Sequence, residues 1–547
     1  MTRDAGKWSP GLARRCDFLA PIELAFVERP HSYMSTKGEQ IMALGKNVAA
    51  NYLGQGWAAV MALAFIPFYI RYLGIEAFGL IGLLALVQAW LTLLDMGMTP
   101  TLSREMARFT GGAHSPQAIN DLVRSVEVIC ALIAVGAGLT LWAASDWLAL
   151  HWIRASVVPT ATVQHAIAVM AIVAAMRFPE SIYRSALIGL QRQVWYNAAN
   201  ALVATLRGVG AVLVLAFVSP SIEAFFQWQV LMSGLAVVVL GYGVHKHLPA
   251  PPGPRRFSAS SIMDIWKFAA GMVGITGLAL MLTQVDKLLL SRLLSLEEFG
   301  VYTIAATVSG AIFMVIAPLT TAFYPRMVEL ANDPQSTQLA RAYHQGAQAV
   351  NVATSPVALT LACFSGGAMF AWSGDAQLAS RVEPILSLLV LGTFINGLMQ
   401  MPYHLQLAFG WTSLTIKANV IAVAVLIPIL LWAVPRFGAV AAAAVWLTLN
   451  TAYMIGMAQA LHRRLLRAEK WRWYFDDVGL PVVAVLISIG LAAMFRPGPD
   501  HGRWYWLGFL AATTVLAYGC AATAASTIRP RLFAGLRMFF TAAPKKT

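Results

Sequence analysis

The chain has 547 residues, of which 58% are hydrophobic and only 12% charged; soluble domains carry about 25% charged residues, so a string of soluble domains is excluded, and the apolar content excludes a disordered chain. The net charge of +14 lies in short Lys/Arg clusters between apolar stretches, the pattern of membrane-topology signals rather than of a nucleic-acid surface, and no nucleic-acid partner is expected. The four cysteines (Cys16, Cys130, Cys363, Cys520) fall at neither disulfide nor zinc spacing.

Residues 1–45 read as a tail without the basic start, apolar core and small-residue cleavage site of a signal peptide. A spanning helix needs about 20 mostly apolar residues, and fourteen stretches meet that need. They are 48–70, 76–98, 122–145, 162–182, 195–218, 222–243, 265–291, 299–323, 346–372, 383–406, 413–434, 437–460, 478–495 and 504–526. The expectation is an all-α polytopic membrane protein with about fourteen transmembrane helices. Cytoplasmic loops are enriched in Lys and Arg. With a cytoplasmic N-terminus, 30 of the 39 basic residues fall on the inner side, seven on the outer, and Arg207 and Lys287 within spans. The reading therefore places both termini on the cytoplasmic side of the membrane.

A shift of 221 residues superimposes Arg71–Met106 on Arg292–Met327 with nine identities in 36 positions, among them Glu76/Glu297, Phe78/Phe299 and Gly79/Gly300. Further on, Tyr183–Gly189 resembles Tyr403–Gly410 with one inserted residue. Spans 1–6 then correspond to spans 7–12. Six is even, so the two copies are parallel repeats, a plan that puts a transported substrate at the repeat interface. The divisions are a tail (1–45), an N-lobe (46–245), a cytoplasmic linker (246–261), a C-lobe (262–461), a cytoplasmic loop (462–477), an appended pair of spans (478–527) and a second tail (528–547). The linker reads Pro249-Ala250-Pro251-Pro252-Gly253-Pro254-Arg255-Arg256, stiff by composition.

No Gly-rich phosphate loop, paired-His helix or cysteine pair is present, so neither ATP hydrolysis nor a cofactor or metal is expected. The expected energy source is an ion or substrate gradient, with a proton or sodium ion as the candidate coupling ion. Intramembrane charges are costly and so are functional candidates. Arg207, mid-way along span 5, is the N-lobe's one charge near mid-membrane; its planar donor fork suits a phosphate, and the alternative is a carboxylate or carbonyl partner in the bundle. Asp286 and Lys287 lie in span 7, about 100° apart on the helix, and are not expected simply to pair. Asp95 and Lys417 sit near the inner interface and read as structural. Polar stripes run along span 1 (Asn47, Asn51, Gln55), span 2 (Gln88, Thr92, Asp95, Thr99) and span 7 (Thr276, Thr283, Lys287). Such stripes line a wet path or join neighbouring helices; Asn51, Gln55 and Gln88 join Arg207, Asp286 and Lys287 as candidate substrate contacts. Pro67 is positioned to kink span 1.

Leu93-Leu94-Asp95-Met96-Gly97-Met98 with Ser103-Arg104-Glu105-Met106-Ala107-Arg108, Gln284-Val285-Asp286-Lys287 with Leu296–Tyr302, and Pro402–Gly410 resemble, in order and spacing, bacterial oligosaccharide flippases of polysaccharide biosynthesis. The resemblance covers about residues 44–460. It implies the multidrug/oligosaccharidyl-lipid/polysaccharide exporter superfamily: two six-helix lobes, two extra helices, alternating access and a cationic cavity. The implied substrate is an undecaprenyl-diphosphate-linked oligosaccharide, of O-antigen or exopolysaccharide type, moved to the outer leaflet, with the bilayer and a polysaccharide polymerase as partners. The rival readings are a drug or metabolite exporter, which would favour acidic residues in the N-lobe cavity, and a lipid II flippase. A membrane glycosyltransferase, polymerase or ligase is disfavoured, because the outer loops near 146–161 and 373–382 are short.

Overall fold

The computed structural model describes residues 50–95, 97–331, 337–498 and 500–530, with the backbone alone over 260–262 and 264–276. The first tail with Asn47, the second tail beyond residue 530, and Met96 lie outside these residues, as do the side chains of Lys267 and Thr276. The fold is helical throughout its described elements. We number its main helices α1 (50–64), α2 (Ile66–Leu91), α3 (Met98–Thr110), α4 (Pro116–Ala143), α5 (Thr160–Gly189), α6 (Gln193–Phe217), α7 (Ile222–His247), α8 (Ala259–Leu293), α9 (Leu296–Gly310), α10 (Phe313–Leu330), α11 (Thr337–Cys363), α12 (Ser365–Ser373), α13 (Ala376–Leu398), α14 (Gln400–Ala408), α15 (Ser413–Arg464), α16 (Lys470–Ala493) and α17 (Arg503–Ala524).

Among the described residues, ten helical segments are long and apolar enough to cross a membrane, or eleven if α11 and α12 form one broken span. Large apolar side chains such as Phe217, Leu213, Leu431 and Val515 stand exposed on their outer faces. That suits hydrocarbon as the solvent, because the helices satisfy their own backbone groups. Two elements contain a glycine with non-helical backbone: Gly74 in α2 (φ 80°, ψ 167°) and Gly438 in α15 (φ 64°, ψ −153°). Positive φ is open to glycine at little cost. α15 has 52 residues, about 78 Å at 1.5 Å per residue, far beyond a hydrocarbon core of about 30 Å.

Element ends depart from the sequence reading where polar residues are buried by protein. The helix read at 478–495 begins at Lys470, so the stretch 462–477 is mostly helical rather than a loop. The helix read at 346–372 begins at Thr337 and turns by 87° at Phe364. Pro67 stands at the first turn of α2, just after a break at Phe65, where a missing N–H costs little.

Three features fix the scaffold. At one end, the segment after α4 binds the α8–α9 corner. Leu296 N donates to Arg154 O (2.8 Å), Trp152 Nε1 to Ser291 Oγ (3.1 Å) and Arg292 Nη1 to His151 O (3.3 Å). Beside it α2 and α9 pack with glycines in contact: a methyl on Gly79 would strike the Leu296 carbonyl, and one on Gly300 the Ile75 carbonyl. These two contacts exchange under the 221-residue shift, as a local two-fold relation requires. At the other end the 249–258 segment is fastened along α4. Asn120 Nδ2 donates to Pro249 O (3.0 Å), Gln117 Nε2 to Pro254 O (3.1 Å), Arg256 N to Asp121 Oδ1 (2.8 Å) and Ser258 N to Ser125 Oγ (2.7 Å). The stiffness expected from its prolines is thus reinforced by side chains of the first half.

Candidate functional site: a cationic centre and an amide pocket

Arg207 sits on α6 in the run Arg207-Gly208-Val209-Gly210. The two glycines let rings lie against the helix: Phe65 packs on Gly208 and Trp228 on Gly210. Trp228 Nε1 also donates to the Arg207 carbonyl (3.3 Å). The guanidinium is held loosely. Its Nη2 lies 3.4 Å from Ser233 Oγ and 3.8 Å from Glu180 Oε2, and its buried Nε has no hydrogen-bond partner. Glu180 is claimed more closely by Arg177, at 3.0 Å. Two arginines thus share one carboxylate, leaving a surplus positive charge in a partly buried place. The Arg207 side chain is 21% exposed and that of Glu180 14%, so the charges are weakly screened and a second anion would be attracted.

This corrects the view of Arg207 as the sole charge of its region: Glu180 and Arg177 on α5 stand beside it. Charges three apart share a helix face, and that spacing was the available signal.

The other sequence candidates scatter. Asp286 accepts from Tyr302 OH (2.6 Å), which ties α8 to α9. Lys287 donates to Thr283 O (3.1 Å) and its Nζ comes within 3.8 Å of Asp286 Oδ1. The expectation that the two would not pair is therefore corrected: the long lysine stem folds back along the helix. Asn51 accepts from Asn197 Nδ2 (2.6 Å), joining α1 to α6. Gln55 is exposed and Gln88 half-buried. Asp95 accepts from the N–H (3.1 Å) and hydroxyl (2.8 Å) of Thr99 in the first turn of α3, while Lys417 is exposed.

A second concavity lies in the C-terminal half, where Asn396, Gln400, Tyr403, Gln406, Asn419 and Tyr453 line a pocket with a methionine and leucine floor. Its polar groups are neutral and mutually ordered. Asn396 Nδ2 donates to Asn450 Oδ1 (2.7 Å), Gln400 Nε2 to Asn396 Oδ1 (3.1 Å) and Tyr453 OH to Asn419 Oδ1 (2.9 Å). Amides and phenols next to apolar surface are groups that recognise hydroxyl-rich ligands with alternating donors, acceptors and C–H faces. Sequence reading passed over these residues; two amides four apart, Asn396 and Gln400, were the signal.

Over residues 44–331 the chain matches the family described as polysaccharide biosynthesis protein. The chain belongs to that family. A Shigella flexneri protein named for O-antigen transport is 20% identical over 406 residues, spanning 74% of this chain and 94% of the relative. Among solved structures, this polysaccharide biosynthesis protein is similar to the lipid II flippase MurJ in an inward closed conformation. That likeness has a TM-score of 0.65 at 12% identity and covers 87% of this chain and 98% of that one. It is also similar to the MATE multidrug transporter DinF-BH in complex with R6G, with a TM-score of 0.55 at 14% identity, over 77% of this chain and 95% of that one. The shared fold is that of polytopic helical transporters, and the chain is a multi-pass membrane protein.

Proposed function

We propose that this protein is a flippase that translocates a polyprenyl-diphosphate-linked oligosaccharide across the bacterial inner membrane by alternating access, in the making of a surface polysaccharide. It is a transporter, not an enzyme: the family is one of polysaccharide biosynthesis and the related folds belong to transporters. The observation that carries the substrate class is the Arg207 centre, with surplus positive charge and an unused N–H. A guanidinium is matched to phosphate oxygens. In this reading Arg207 meets the diphosphate, and Arg177 with Glu180 tunes it. The amide pocket meets sugar hydroxyls. Asp286 holds α8 to α9, Lys287 is tied along α8, and Asn51 holds α1 to α6. Gln55 and Gln88 remain candidates to line the path. A polysaccharide polymerase is the expected recipient of the product, and a proton or sodium gradient the expected drive.

The same reading takes the chain as fourteen spans in two six-helix lobes plus a pair. Gly438 would divide α15 into two spans, Gly74 would separate a first span, running through α1 into the start of α2, from a second in the rest of α2, and both termini would lie in the cytoplasm. In intact cells, a cysteine at Asp375 should react with an impermeant reagent and one at Pro252 should not; labelling at Pro252 would break this topology. The function itself is tested with purified protein in lipid vesicles: leaflet exchange of a polyprenyl-diphosphate oligosaccharide is expected, and its absence in protein shown to be folded would overturn the reading.

A further inference from the structure

Far from Arg207 along the chain, α11 and α16 enclose a cluster of ionisable side chains. His344 and Asp477 have wholly buried side chains, and Glu469 beside them is 25% exposed. His344 Nδ1 contacts Asp477 Oδ2, and its Nε2 lies 2.9 Å from Glu469 Oε2. A neutral imidazole has one N–H and one bare nitrogen, and an ionised carboxylate only accepts. With a carboxylate on each ring nitrogen, one contact would set two lone pairs against each other. One further proton resolves this, whether the ring is an imidazolium or one carboxyl is protonated.

The surroundings narrow its place. Gln348 Oε1 accepts from the N–H (2.9 Å) and hydroxyl (2.6 Å) of Thr527, which turns its amide N–H₂ toward Asp477 Oδ1 at 2.8 Å. That oxygen is therefore an acceptor, and a proton on Asp477 would sit on Oδ2, facing His344. Asp477 is presented by a π-helical stretch, Trp473–Gly479, and Asn351 Nδ2 takes up the carbonyls of Asp477 (2.8 Å) and Val478 (3.1 Å). π-bulges concentrate at functional sites. The neighbouring His462 offers a contrast. Its Nδ1 faces the Ala458 carbonyl (2.7 Å) and must carry the hydrogen, while its Nε2 faces Tyr343 OH (3.2 Å) and can accept. His462 is thus complete as a neutral ring, and His344 is not. The other charged or titratable groups of the surroundings are Arg472, 3.5 Å from Glu469, with Lys470 and Tyr474 on α16.

We propose that His344, Asp477 and Glu469 form a proton-binding site that clasps α16 to α11. The proton enters from water through Glu469, the exposed member, and is shared with His344 and Asp477. When it leaves, a bare ring nitrogen faces a carboxylate and the clasp weakens. The inference does not rest on the identity of the transported substrate.

The test uses purified full-length protein in detergent. ¹⁵N resonance of the histidine rings, with His344 assigned by its loss in His344→Gln, is expected to show both ring nitrogens engaged with a proton at neutral pH. Infrared spectra of Asp477→Asn and Glu469→Gln tell whether that proton lies on a carboxyl. A ring with one bare nitrogen and both carboxylates ionised would overturn the proposal. Thermal unfolding supplies an independent reading. A proton held in the folded state and absent from the unfolded chain above neutrality makes wild-type stability fall as pH rises. In Asp477→Asn an amide N–H can serve the bare nitrogen, so that fall should vanish. An equal fall in both proteins would also overturn the site. Should His344→Gln not fold, the comparison of wild type with Asp477→Asn decides.

Discussion

The Arg207 centre and the Asn396–Tyr453 pocket are both concave and polar, yet they are built on opposite principles. At Arg207 two guanidiniums compete for one carboxylate, and a buried Nε goes unused. In the pocket the amides are held by hydrogen bonds to one another or to neighbouring hydroxyl and carbonyl groups, and no ionised group is among its lining residues. The first arrangement is under-satisfied and invites an anion. The second is satisfied and offers directional contacts of modest strength. A lipid-linked sugar has both needs: a compact diphosphate common to all glycans, and a variable array of hydroxyls. On the proposed reading, affinity for the carrier and preference for the glycan would be separable in this chain.

The largest effect should follow from Arg207→Ala. A hydrogen bond to a charged group contributes about 1.5–3 kcal/mol, so loss of the diphosphate contact should cut surface-glycan display by about tenfold or more, at near-normal membrane abundance. Arg207→Lys should restore part of it, since the charge returns without the planar fork. If Arg207 is only a partner for Glu180, abundance should fall instead, because breaking a buried pair costs about 3–5 kcal/mol. Normal display by a well-expressed Ala variant would merge the two regions into one class of packing groups.

A smaller and more selective effect is expected at the pocket. Gln400→Ala or Asn419→Ala removes neutral contacts of about 0.5–1.5 kcal/mol, a change of a few-fold that should differ between glycans. Competition between two lipid-linked oligosaccharides in the same vesicles measures it. An equal loss for every glycan would mean that the pocket acts on the shared carrier, and the proposed division would fail.

Much of the fold was legible in the chain because a membrane imposes simple rules. Apolar length, basic loops and the Arg71/Arg292 repeat each leave a linear trace. Element ends were less legible, because Trp473, His344 and Gln348 are polar or amphipathic residues whose burial depends on α11 meeting α16. Of the candidate site, Arg207 stood out as an isolated charge, but Glu180 and Arg177 did not, since their role depends on how α5 lies against α6. Asp286 and Lys287 stood out equally, and their partners proved to be Tyr302, Thr283 and each other. A polar residue in a span announces a requirement for a partner; only the three-dimensional arrangement tells whether a neighbouring helix or a substrate meets it.

The central claim is that a diphosphate-linked lipid is what this protein moves. It is tested most directly by reconstituting the purified chain in vesicles that contain a polyprenyl-diphosphate oligosaccharide and, separately, a cationic dye. The account predicts leaflet exchange of the lipid-linked oligosaccharide without dye efflux. Dye efflux without leaflet exchange would contradict it and point to a drug exporter on the same fold.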